Sequence, residues 1–129
     1  MGQQQLLLIV LGVIIVGIAI VVGINLFQAS AIQGNRDAVV LHLNTLAAQA
    51  QQYYKKPATL GGGGNSFVGF AIPTGMGSNA SGTFTISTAG TATTVVLQGV
   101  GTETGDNGTS GVTHRATVTA TAITISKVN

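Results

Sequence analysis

The sequence has no cysteine, no tryptophan, two prolines and only three acidic residues in 129. Each shortage excludes something. Without cysteine there is neither a disulfide framework nor a thiolate metal site. Asp37, Glu103 and Asp106 are the only acids, and His42 and His114 the only histidines. Acid–base catalysis and metal binding need such groups in clusters, so we expect no enzyme, no cofactor and no metal. The five basic residues, Arg36, Lys55, Lys56, Arg115 and Lys127, are scattered. A net charge of +2 spread this way makes no patch for a nucleic-acid backbone. Charged residues are 6% of the chain, where a globular domain carries about a quarter.

The charge is also missing unevenly, since none appears before Arg36. Ahead of it runs MGQQQLLLIVLGVIIVGIAIVVGINLFQ, in which 17 of the 22 residues from Leu6 to Phe27 are Leu, Ile, Val or Phe. A helix of that length rises about 33 Å, the thickness of the hydrocarbon core of a bilayer. At roughly −0.3 to −0.6 kcal/mol per strongly apolar residue, insertion is favoured by several kcal/mol. Eleven of the 22 are β-branched, which weakens a helix in water but matters less in lipid, where every backbone polar group must pair within the segment. The segment therefore enters a membrane. It differs from a secretory signal, which has a basic start and a shorter apolar core. Only ASAIQ, Ala29 to Gln33, has the small-residue look of a cleavage site.

The helical pattern continues past the membrane length. In residues 29–56, Ile32, Val39, Leu43, Leu46, Ala50 and Tyr53 recur by threes and fours, with Arg36 in the one missing slot. Val40, Ala47 and Tyr54 widen this stripe, and Gln33, Asp37, Asn44, Gln51 and Gln52 lie off it. That is an amphipathic helix with one buried face. Lys55 and Lys56 suit its carbonyl end, and Pro57 with GGGG (Gly61 to Gly64) forbids continuation. The spacing predicts one helix from about Gln3 to Lys56, roughly 80 Å at 1.5 Å per residue. GGGGNS lacks the Lys-Ser/Thr of a phosphate loop, so residues 57–65 read as a linker. The two tyrosines are expected to cover the sheet that follows.

From Asn65 the period changes to two. SFVGFAI (66–72), TFTIS (83–87), TTVVLQGV (93–100) and THRATVTATAITISKV (113–128) are strand candidates, separated by turn-rich segments. In the last, Ala116 and Val118 share one parity and Ile123 and Ile125 the other, which predicts a bulge near Thr121-Ala122. The expected fold class is α+β. An apolar half-helix (1–28) continues as an amphipathic half-helix (29–56), then a linker (57–65), then an antiparallel head (66–129) of about four strands packed on the helix stripe.

This order, with its uncharged apolar N-terminal helix, resembles the type IV pilin superfamily: bacterial and archaeal pilins and pseudopilins. The likeness covers the whole chain as architecture and is specific over residues 1–28. It implies a structural subunit of a type IV pilus-like extracellular filament. Such a subunit is held in the inner membrane before assembly, handled by a pilus assembly machinery, and polymerised through its apolar helix into a homopolymer at the cell surface. The family places a glutamate at the fifth mature position. Counted from Gln3 this chain has Leu7 there, and counted from Met1 it has Gln5. Gln3, Gln4 and Gln5 either hydrogen-bond between neighbouring helix ends or form a polar cap at the membrane interface. With Leu6, Gly12, Val16, Gly17, Gly23 and Phe27 they are the candidate assembly residues, the glycines as points of close helix approach. Asn79 and Asn107 begin N-x-Ser/Thr sequons in turn-rich segments and are candidate glycosylation sites. The alternative function is a monomeric signal-anchored surface domain that binds a ligand or partner.

Overall fold

A computed structural model describes residues 2–129, which divide into two units, the first ending at Ala31 and the second spanning Ile32–Asn129. One helix, α1 (Gly2–Lys55), contributes to both. Its first part is apolar on every side and none of it is buried within the chain. The helix is therefore long and apolar enough to cross a membrane.

In the second unit α1 packs on a sheet as the stripe predicts. Val39, Leu43, Leu46, Ala47 and Ala50 are buried, with Ile32, Tyr53 and Tyr54 packed at the margins. The sheet is a five-stranded antiparallel meander in the order β1 (Ser78–Asn79), β2 (Gly82–Thr88), β3 (Thr94–Thr104), β4 (Gly111–Thr119), β5 (Ile123–Lys127). Period-2 alternation sends Phe84, Val95, Leu97, Val112, Ala116 and Val118 into the core. The opposite parity carries Thr83, Thr85, Gln98, Arg115, Thr117 and Thr124, of which only Gln98 is not fully exposed. The fold class is α+β, as expected.

Three local expectations are corrected. SFVGFAI is not a strand. Phe67 and Phe70 are both buried yet three residues apart, a spacing that a strand would split between its two faces. A turn brings both inward instead, with Phe70 N–H donating to Phe67 O at 3.0 Å and Phe67 N–H to Thr91 O at 2.9 Å. The long final candidate is two strands, and what stands near Thr121 is a hairpin turn rather than a bulge. Thr119 N–H donates to Ala122 O at 2.9 Å, and the Thr119 hydroxyl accepts from Ala122 N–H at 3.0 Å. The parity change is thereby explained. Ile123 and Ile125 pair with Val118 and Ala116 across the turn and share their face. The glycine run, finally, caps the helix as well as linking it to the head. Gly63, Gly64 and Asn65 N–H groups donate to Tyr53 O, Lys56 O and Tyr54 O at 2.8, 3.0 and 2.7 Å, satisfying carbonyls that a helix end leaves open. A side chain at Gly63 would strike Ser66 O, 1.8 Å from its Cβ position.

The Thr119 turn has no glycine, asparagine or proline, so its hydroxyl supplies the local hydrogen bonding that those residues usually bring. Thr119→Val is expected to destabilise the head by about 1 kcal/mol, measured as a lower urea midpoint for the full chain in detergent. An unchanged midpoint would mean that the backbone alone sets this hairpin.

Candidate assembly surface

The proposed assembly residues all lie on the first part of α1. Leu6, Val16 and Phe27 expose 63%, 57% and 80% of their surface. These are large values for side chains that water rejects, and contiguous apolar patches of this extent mark interaction or membrane surfaces. Gln3, Gln4 and Gln5 are exposed on the opening turns. Consecutive helical residues stand about 100° apart, so the three amides fan around more than half the circumference and no single neighbouring helix meets all of them. Gly12 and Gly23 are three turns apart and share one face to within about 20°, while Gly17 stands about 140° round from Gly12. A Cβ added at any of the three glycines would meet nothing within 4 Å. They thus leave notches on two faces, not one seam.

The head places the remaining candidates. Asn107 is exposed in the β3–β4 hairpin, its Oδ1 accepting from Thr109 and Ser110 N–H, both at 2.9 Å. Asn79 is half-buried in β1, its Oδ1 accepting from Ser81 N–H at 2.8 Å and Gly82 N–H at 3.2 Å. In both, the oxygen is fixed by a local turn, and Nδ2 is the atom a glycan would use. Tyr53 and Tyr54 cover the 67–70 turn rather than the sheet. The Tyr53 hydroxyl donates to Val68 O at 2.8 Å and its ring meets Phe70 edge-on at 5.5 Å, while Tyr54 lies 4.8 Å from Phe67.

The acids and histidines do not gather into a common site. His42 lies against the Phe84 ring, centroids 5.2 Å apart, and His114 is buried on β4. Asp37 accepts from the Gln33 amide at 2.9 Å, and Asp106 pairs with Arg36 at 2.7 Å and with Lys127. Among the described residues no group of three or more His, Asp or Glu side chains could hold a metal ion. A groove of about 370 Å³ runs between Gln49 and Tyr53 on the helix and Lys56, Gly61 and Phe70 beyond its end. It offers one cation and ring edges.

Sequence reasoning missed Asn35, which is buried at 8% exposure. Its Nδ2 donates to Ser81 O at 2.7 Å, and its Oδ1 accepts from Glu103 N–H at 3.2 Å. One amide thus ties the helix to the β1–β2 turn and to β3. Opposite it stands Gly101, whose Cβ would lie 1.9 Å from Asn35 Oδ1. One turn on, a Cβ at Gly99 would meet Val39 Cγ1 at 2.8 Å and the Phe84 ring at 2.9 Å. The sequence signal was two glycines at strand period on the inward parity of β3, which marks close approach of another backbone element.

No family model, no curated protein and no solved structure matches the chain. The architecture itself, a long apolar N-terminal helix that continues onto an antiparallel sheet, is compatible with a pilin-like fold.

Proposed function

We propose that the chain is the structural subunit of an extracellular helical filament of type IV pilus kind, polymerised through residues 1–28 and stored in the inner membrane before assembly. One observation carries this reading: the apolar segment is exposed on every side. A one-sided stripe would need one partner. An all-round apolar helix needs cover all round, which lipid gives a monomer and neighbouring copies give a polymer. The stripe of residues 32–54 adds nothing here, because its own sheet already covers it.

Material sheared from the cell surface should sediment as polymer and show filaments in negative stain. Amides of residues 6–27 should exchange slowly in that polymer without detergent. If the only surface form is a detergent-soluble monomer, the reading falls and the anchored-domain alternative takes its place. Gln5→Glu tests the glutamines. If they pair with one another between helix ends, the new charge is stranded and polymer yield drops at neutral pH. If they stand in for the amine-pairing acid of the family, the new glutamate pairs with a neighbouring N-terminal amine and filaments still form.

A further inference from the structure

His114 is the one titratable side chain among the described residues that belongs to the buried core, at 8% exposure. It faces the helix from β4, between Val112 and Ala116, with Gly99 of β3 and Lys127 of β5 as its cross-strand partners. Its Nδ1 is buried and has no hydrogen-bond partner. A neutral imidazole tolerates this, because one ring nitrogen need not donate. An imidazolium does not, because both nitrogens then carry N–H and a buried charged donor needs an acceptor.

The charged groups around it make the position less tolerant still. The helix contributes Arg36, β5 contributes Lys127, and the β3–β4 hairpin contributes Asp106, while β3 contributes only Gly99. His42, the other titratable group on that part of the helix, lies against Phe84 of β2. Two cations therefore share the Asp106 carboxylate before His114 gains any charge. They also hold a clamp. Arg36 Nη1 donates to Asn129 O at 2.9 Å. Asn129 Oδ1 accepts from Asn107 N–H at 2.9 Å, and its Nδ2 donates to Gly111 O at 3.0 Å. Thr113 N–H donates to Asn129 O, and Asn129 N–H to Thr113 O, both at 3.1 Å.

We propose that His114 is an acid-sensitive latch: neutral, it keeps residues 127–129 clamped between Arg36 and the 105–111 hairpin; protonated, it releases them. The released state exposes the imidazolium to water and frees Asp106 to approach it. Burial, and after it the charges of Arg36 and Lys127, hold His114 below its ordinary value of 6.5. The open form therefore binds more protons as the pH drops through about 6.5. The clamp is at full strength above that value and weakens below it, levelling off once the pH passes the folded value. Asp106 is held below the usual carboxylate range by Lys127 and also by Arg36, so it stays ionised across this window and does not cause the change.

Hydrogen exchange of the full chain in detergent micelles between pH 7.5 and 5, corrected for intrinsic rates, tests the latch. Protection at Asn107, Thr113, Val128 and Asn129 should fall about tenfold for each unit that His114 lies below 6.5, with Leu97 in the central strand unchanged. His42→Gln should keep this response and His114→Gln should abolish it. Should His114→Gln fail to fold, imidazole NMR of the wild-type chain decides, since only two histidines need assigning. The His114 midpoint must lie below 6.5 and mark the pH at which the loss of protection levels off. Flat protection, an equal loss in His114→Gln, or a midpoint at or above 6.5 overturns the latch.

Discussion

A chain carrying Val16→Asp is expected to fold its head normally and to form no polymer. Val16 sits mid-way along the apolar segment and exposes 57% of its surface, so the change disturbs no packing within the subunit. Under the proposed function its environment is supplied later, by lipid and then by neighbouring copies. A carboxylate near the centre of a membrane helix costs about 2.5–3.5 kcal/mol on insertion scales, which lowers the amount of subunit delivered. In a bundled core the cost is higher still. No water solvates the charge there, no Lys or Arg side chain precedes Arg36 to pair with it, and an unpaired buried carboxylate costs several kcal/mol or must be protonated. Every subunit of the filament bears that cost. The head provides its own control. Tyr53 and Tyr54 are the only tyrosines, there is no tryptophan, and both tyrosine rings pack on phenylalanines of the head. Near-ultraviolet circular dichroism should therefore be unchanged in detergent, while pelleted polymer is lost. Normal polymer yield would show that the segment is not buried in a filament core, and the proposed function would go with it.

Periodicity made the large features legible. The change from 3.6 to 2 between Lys56 and Asn65 divides helix from sheet, and the threes-and-fours spacing alone picks out Val39, Leu43, Leu46 and Ala50 as the buried stripe. The features that spacing did not reveal share a cause: each is a place where a side chain does a backbone's work, or the reverse. At Thr119 a hydroxyl stands in for a glycine turn. In the 61–65 run, backbone N–H groups stand in for a side-chain cap. Phe67 and Phe70 sit in a segment whose composition suits a strand but whose spacing suits a turn. The exposed apolar surface of the first part of α1 was legible as an apolar run, yet the distribution of its glycines over two faces follows only from counting residues around the helix.

Asn35 is the instructive omission, because the stripe passes beside it and a polar residue there reads as solvent-facing. Its burial depends on Gly101, and the two are expected to behave as one unit. Gly101→Ala places a methyl group 1.9 Å from Asn35 Oδ1 and 2.4 Å from Val112 Cγ2. Neither neighbour moves freely: the Asn35 amide is hydrogen-bonded at both ends, and Val112 is fully buried. Overpacking of this kind costs about 3 kcal/mol, a large share of the stability of a small head. Asn35→Ala should cost about 2 kcal/mol by a different route, leaving Glu103 N–H without its partner and Ser81 O with only the Thr102 N–H. Combined, the two substitutions should cost clearly less than their sum. Removing the amide removes the obstacle that the new methyl group strikes, and the methyl group fills part of the space the amide leaves. Urea unfolding of the four full-length chains in detergent, followed by tyrosine circular dichroism, closes the cycle. A coupling of about 1 kcal/mol or more in the favourable direction is expected. Strict additivity would mean that the sheet backbone, and not this amide, limits how closely the helix approaches β3.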